Sequence, residues 1–198
     1  TVKLIRTLIA ISPERNAAKH GIHKELSRGS EVCINVRSHA PKIVGNPRRS
    51  EKNIASVFFN FKYNAVLRVM KAAAEMLRPG TILAEYHKEV GLIMQAELVE
   101  LGLIKQHEIN KQDPKNPVYK KFFMHGTSHY LGLDVHDVGL WDKPVEKGMV
   151  FTCEPGIYIR EENLGIRLEN NVLITDDKPF DLMGNIPLEA DEIESLMN

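Results

Sequence analysis

Two glutamates limit what this chain can fold into more than any other residues. Glu154 stands in FTCEPGIYI (151–159) and Glu169 in GIRLENNVLIT (165–175), and both runs are otherwise apolar and strand-like. A lone carboxylate drawn into such a run is costly unless a positive charge meets it. The fold therefore has to bring both runs to a common positive partner. A third stretch offers what is missing. FFMHGTSHYLGLDVHD (122–137) carries His125, His129 and His136 at spacings of four and seven, with no basic cluster around them. Imidazoles gathered so closely suit the handling of protons or of a metal. A divalent cation held by His129, Glu154 and Glu169 would balance both carboxylates. Gly126 lets the chain come close to a ligand, and His125 and His129 are expected to share a face in a helix or a tight turn.

Upstream the periodicity is helical. Val66, Val69, Met70, Ala73 and Leu77 recur at helical spacing over 62–78, and Pro79-Gly80 closes that segment. Thr81 is the expected N-cap of a second helix, with Tyr86, Val90, Ile93, Met94, Leu98 and Leu101 on one face and Glu97 at its edge. Gly102 is its stop signal. The methionines read as core filler. KQDPKNPVYKK (111–121) reads as a polar loop, strand-like runs follow, and PLEADEIESLMN closes the chain as a short amphipathic helix from near Pro187. In the first third, LIRTLIAI and EVCINV read as strands, the second after a turn signal at Gly29. From Pro41 through Gly45, Asn46 and Pro47 to Ser56 the chain is polar and basic. Two helices among strands, without a repeated βαβ rhythm, predict an α+β domain rather than a doubly wound sheet.

Composition removes several classes of function. The 198 residues suffice for a substantial core, and no run of 18 apolar residues is present to span a membrane. Basic and acidic residues balance at 26 each, yet 12 basic and 4 acidic ones fall in residues 1–62. No aromatic interleaving accompanies that charge, so it reads as a solvated face and nucleic acid is not an expected partner. Cys33 and Cys153 form neither a disulfide framework nor a CxxC motif, which points to a reducing, cytoplasmic setting. The first residue is Thr1 rather than Met, which suggests a fragment. HExxH, the phosphate-binding glycine loop, GxGxxG and GxSxG are all absent, so zincin, nucleotide-binding and serine-hydrolase readings have no support. Ser128 and Cys153 are weak candidate nucleophiles, since a small cysteine is ordinarily buried filler.

With these residues in view, the chain resembles the pita-bread metallopeptidases, and within them the Xaa-Pro aminopeptidases (aminopeptidase P). The resemblance is carried by MHGTSHYLGLDVHDVG (124–139), KGMVFTCEPGIYI (147–159) and GIRLENNVLIT (165–175), in that order, with YNAVLRVMKAA and LRPGT before them. It is strong over 61–198 and divergent over 1–60. The HGTSHYLGLDVHD form favours aminopeptidase P over prolidase, and both over methionine aminopeptidase. The resemblance implies a pita-bread α+β domain over 1–198, a curved antiparallel sheet backed by helices. It also implies truncation at the N-terminus and absence of the family's separate N-terminal domain. The implied centre holds two metals, usually manganese, on two aspartates, one histidine and two glutamates. It assigns the histidine to His129 and the glutamates to Glu154 and Glu169. Such carboxylates leave a shared water or hydroxide with lowered pKa as nucleophile. His125 and His136 match the histidines that hold substrate and stabilise charge on the scissile carbonyl. Arg167 matches an arginine that supports the ligands by pairing with them.

The implied aspartates have no counterpart. A pattern like IDxG, then DxTRT eleven residues after the first aspartate, belongs before the first helix, and no aspartate occurs in residues 1–112. Backward alignment sets Gly29 at the family's turn glycine and Asn35 and Asn46 at the two aspartates. Arg49 and Ser50 then fit the R-T pair, and His20 falls near a substrate-side histidine after a two-residue slip. Asparagine is neutral, offers one carbonyl oxygen and cannot bridge two cations as an anion. At most one weakly bound metal and reduced hydrolysis are therefore expected. The functional expectation is a metallo-aminopeptidase of Xaa-Pro type, acting on peptides with proline at the second position. The alternatives are a catalytically inactive pita-bread module that binds peptide or protein partners, and a prolidase-like dipeptidase. A homo-oligomer stays open.

Overall fold

A computed structural model describes residues 37–38 and 49–197, with side chains from residue 59 onward. The expected strands LIRTLIAI and EVCINV lie outside the described residues, as do His20, Gly29, Cys33, Asn35 and Asn46. In chain order the elements are β1 (Arg37–Ser38), α1 (Arg49–Met76), α2 (Leu83–Glu100), α3 (Gln106–Ile109), β2 (Val150–Cys153), β3 (Gly156–Ile159), β4 (Leu164–Arg167), β5 (Asn170–Leu173), β6 (Phe180–Asp181) and α4 (Ala190–Met197). Short 3-10 turns fall at Val118–Lys121 and Arg160–Glu162. Among the described residues no helix is long and apolar enough to cross a membrane.

Helix α1 starts well before the expected Lys62. Neither glycine nor proline interrupts Arg49–Met76, so the backbone bonds propagate through a polar, basic stretch that reads as loop by composition. Thr81 does not cap α2. Its hydroxyl donates to the Met76 carbonyl at 2.9 Å and accepts from the Arg78 amide at 3.3 Å, closing the end of α1 instead. Ile82 takes the N-cap position of α2 with no side-chain bond. The reason lies in residues 144–145, which clamp this turn in extended form. Gly80 donates to the Val145 carbonyl, Val145 donates to Thr81, and Ile82 bridges Pro144. The other end of α2 follows the sequence reading. Gly102, at φ 70°, donates to Val99, and Leu103 donates to Leu98, the paired bonds of a Schellman stop.

The strands form two antiparallel sheets, ordered β1-β4-β3 and β2-β5-β6. Together β2–β3 and β4–β5 make one long hairpin with a gap in its ladder. Cys153 pairs with Asn170 on one side of the gap and Gly156 with Arg167 on the other. The register is therefore unchanged across it, which sets Glu154 opposite Glu169 and Pro155 opposite Leu168. Each glutamate stands at a break between strands rather than inside one, a correction to the sequence reading. Pro155 has no N–H to give the ladder. Its carbonyl takes the Leu168 amide at 3.3 Å, while the Glu154 amide turns out to the Thr127 carbonyl at 2.7 Å. Like charges directly opposite destabilise a strand pair, so the gap falls where the sequence makes pairing least favourable. Asn163, at φ 50°, closes the hairpin in the left-handed conformation that asparagine tolerates.

The helices back one face of this hairpin. Val66, Val69, Ala73 and Leu77 of α1 and its end, and Tyr86, Val90, Met94 and Leu98 of α2, are buried with Phe151, Ile157, Ile166, Leu168 and Val172. Met70 and Met94 fill this core as expected. Helix α4 keeps no residue fully buried.

Candidate functional site

The histidine stretch is neither helix nor strand, apart from a bridge between Tyr130 and Phe151. Backbone bonds lash it along β2. The His129 carbonyl accepts from Thr152 at 3.1 Å, and the Leu131 amide donates to Val150 at 3.1 Å. Helix α2 grips it from the other side. The Tyr86 hydroxyl lies 2.9 Å from Ser128 Oγ, and His87 Nε2 donates to the Ser128 carbonyl at 3.1 Å. At Gly126 a Cβ would come within 3.0 Å of the His87 ring, which explains a glycine there. His87 had no place in the sequence reading, and Tyr86 counted only as part of a core face. Their role comes from polar tips on a helix face that periodicity reads as apolar.

At the centre, His129 Nδ1 donates to the Tyr130 carbonyl at 2.8 Å. In the neutral ring Nε2 then carries the lone pair. That nitrogen lies 3.3 Å from Glu154 Oε1. Two acceptors face each other, an arrangement that requires a proton or a cation between them. On the far side, Glu154 Oε2 lies 3.6 Å from Arg167 Nε, and Arg167 Nη2 donates to Glu169 Oε2 at 3.1 Å. Among the described residues, the buried Arg167 Nε itself has no hydrogen-bond partner. Burial, and then the facing Glu169, push the Glu154 carboxyl up, against the opposing pull of Arg167, His129 and His125. His136 is exposed, with its ring centroid 4.2 Å from that of His129 and the two planes tilted by 35°.

His125 is fixed at both nitrogens. Nδ1 donates to the Gly126 carbonyl and Nε2 accepts from the Tyr158 hydroxyl, each at 2.8 Å. Burial raises the Tyr158 phenol, so it remains a donor at neutral pH. Sequence reasoning missed Tyr158. The signal was present in the alternation, since a residue four beyond Glu154 in an extended run returns to the same face. The structure thus brings His125, His129, His136, Glu154, Arg167 and Glu169 to one end of the hairpin gap. His20, Asn35 and Asn46 lie outside the described residues.

An imidazole and two carboxylates form a donor set suited to a first-row divalent ion. Among the described residues, no three His, Cys, Asp or Glu side chains already form a cluster able to hold one. Glu169 is engaged by Arg167 instead. The residues fit such an ion as part of a ligand set, and the contact of two acceptors at His129 and Glu154 is the clearest mark of it.

Neither candidate nucleophile survives. Ser128 is buried with its hydroxyl tied to Tyr86. Cys153 is fully buried, and burial pushes its thiol up to about 12. At pH 8 in the native protein it is expected to resist iodoacetamide and to react only on unfolding. Peptide mass mapping of residue 153 checks this, and ready alkylation in the native state would contradict it.

The sequence matches metallopeptidase family M24 over residues 7–176. The chain belongs to that family. An Xaa-Pro aminopeptidase of Escherichia coli (strain K12) is 38% identical over 147 residues, covering 68% of this chain and 33% of the relative. That of Haemophilus influenzae is 40% identical over 148 residues, covering 69% and 34%. Among solved structures, Pseudomonas aeruginosa aminopeptidase PepP aligns with a TM-score of 0.63 at 33% identity, covering 71% of this chain and 34% of that one. Zinc-substituted E. coli aminopeptidase P in complex with product aligns with a TM-score of 0.62 at 36% identity, with the same coverage of 71% and 34%. The fold of this M24 chain is accordingly the pita-bread fold of aminopeptidase P, as the resemblance implied. The M24 chain spans about a third of the length of the curated relatives it matches.

Proposed function

We propose that this M24 chain carries the catalytic centre of an Xaa-Pro aminopeptidase, cleaving the bond before a proline at the second position of a peptide. The observation that carries the reading is the acceptor-to-acceptor contact of His129 and Glu154, set opposite Glu169 across the hairpin gap. A divalent metal, manganese by family resemblance, supplies when bound a water of lowered pKa as nucleophile. His129, Glu154 and Glu169 would hold it. Arg167 keeps the two glutamates oriented and offsets their mutual repulsion. His125 and Tyr158 form a donor–acceptor pair beside the scissile carbonyl, and His136 offers an exposed ring at the solvent side of His129. A cytoplasmic setting belongs to the same reading. Incubation of the chain with manganese and an Ala-Pro-initiated peptide is expected to release free alanine. Absence of both bound metal and turnover removes the reading for this chain, and turnover of Ala-Pro alone would favour a prolidase-like dipeptidase.

A second reading is favoured by the lack of any aspartate in residues 1–112. In it the domain binds peptides or a partner without hydrolysing them, because backward alignment to the family sets Asn35 and Asn46 at the positions of its anionic ligands. Affinity of a hard cation rises with the charge of its ligands. N35D/N46D is then expected to bind manganese at least about tenfold more tightly than the parent chain. Isothermal titration measures it, and an unchanged affinity would remove the basis of this second reading.

A further inference from the structure

We infer a carboxylate-binding subsite beside His125, formed by Lys88 and Lys120, that takes an anionic group of the peptide on the far side of the proline. The inference rests on the peptidase reading for the direction of the chain, and on the cleft itself for its chemistry. The cleft measures about 270 Å³, just below the usual range for a whole ligand site and of a size for one subsite. Its walls come from three separate parts of the fold: Lys88 on α2, Lys120 on the Val118–Lys121 turn, and Phe123, His125 and Thr127 on the histidine stretch. Among the described residues, no acidic side chain lines it.

The two lysines are exposed, and neither forms an ion pair among the described residues. Lys121, the neighbour of Lys120, is by contrast paired with Glu161 at 3.1 Å. His87 also lines the cleft but adds no charge. Its burial lowers its pKa, and its Nε2 proton is committed to the Ser128 carbonyl. The net character is thus two unpaired ammonium groups around a concave floor, which concentrates anions. A further polar atom waits in the same wall. Thr127 is 1% exposed, and among the described residues its hydroxyl has no hydrogen-bond partner. Buried hydroxyls in native proteins are rarely left so.

His125 is the wall shared with the centre. Its ring borders the cleft, while Nε2 accepts from the Tyr158 hydroxyl. On the peptidase reading, a peptide with its scissile carbonyl at His129 and Glu154 would pass His125, which borders the cleft, and would seat its downstream end there. The anion it presents there is either the peptide's own terminal carboxylate or an acidic side chain following the proline.

Product-like dipeptides separate these sources without turnover. Pro-Gln, Pro-Gln amide and Pro-Glu amide are titrated into the full chain with manganese present, and affinity is read by calorimetry. One or both carboxylate-bearing peptides are expected to bind at least about fivefold more tightly than neutral Pro-Gln amide, the scale of an exposed ion pair. Preference for Pro-Gln assigns the terminal carboxylate, and preference for Pro-Glu amide assigns the side chain. K88Q/K120Q, with both positions exposed, should keep its thermal unfolding and lose the preference. Equal binding of all three peptides, no binding of any, or a preference that survives K88Q/K120Q overturns the subsite. Loss of hydrolysis with the carboxylate preference intact would instead remove the peptidase reading alone.

Discussion

Replacing Glu154 with glutamine is expected to lower manganese affinity about a hundredfold or more, while making the metal-free protein more stable at pH 7. The two effects have opposite signs because, on the proposed reading, the carboxylate that would hold the metal costs the metal-free fold stability. Glu154 is nearly isosteric with glutamine, so packing is preserved and only charge changes. Its carboxyl is pushed above the ordinary 4.5, first by burial and then by Glu169 across the hairpin. A carboxyl raised in the folded state keeps its proton to higher pH than the unfolded chain does. Stability therefore falls as pH rises from 4.5 through the folded value. At pH 7 the parent chain carries that cost and Glu154→Gln does not. Near pH 4, with the group largely protonated in both states, the difference should close. The glutamine amide can also donate to the His129 Nε2 lone pair, which faces an acceptor in the parent. Titration calorimetry with manganese and urea unfolding at the two pH values measure both arms. Undiminished metal affinity together with lower metal-free stability would make Glu154 a structural acceptor and nothing more.

The largest expected loss of stability is at Phe151. Its side chain is fully buried, and its ring lies 4.7 Å from that of Tyr130, the residue through which the histidine stretch bridges β2. Phe151→Ala should cost about 3–5 kcal/mol, combining lost transfer energy with the cavity left behind. Set against a typical domain stability of about 5–15 kcal/mol, that is a large share. The urea midpoint should fall with an unchanged slope. The loss should reach the site as well, since Thr152 and Val150 on the same strand hold the backbone of His129 and Leu131. A shift below about 1 kcal/mol would mean the stretch and β2 close over the gap.

What the sequence disclosed and what it hid have physical causes. His129, Glu154 and Glu169 were legible because charge in an apolar run is conspicuous, and the structure places the first two in contact and the third across the hairpin. The second helix and its Gly102 stop were legible because a Schellman stop is set locally by a glycine. The cap at its start was not. Thr81 looks the same in sequence whether it serves the helix after it or the one before, and residues 144–145, far along the chain, decide which. The beginning of α1 was hidden by polar composition, which cannot distinguish a solvated helix from a loop. The break at Glu154-Pro155 was hidden because only the pairing partner shows that two runs form one interrupted hairpin. Tyr158 and His87 were hidden because each sits in a run whose dominant signal is apolar.

The interruption in that hairpin also bears on how the fold comes apart. On either side of the gap the ladder is continuous, but across it the Leu168 amide has only the Pro155 carbonyl at 3.3 Å. Native-state amide exchange should therefore be quicker at Leu168 than at Val172 or Ile166, which are fully paired and equally buried. The two halves of the hairpin thus meet at a weak seam, with the facing glutamates on it. A local opening at the centre is then expected to begin at this seam, before the buried residues of β2–β5 leave the core under α1 and α2.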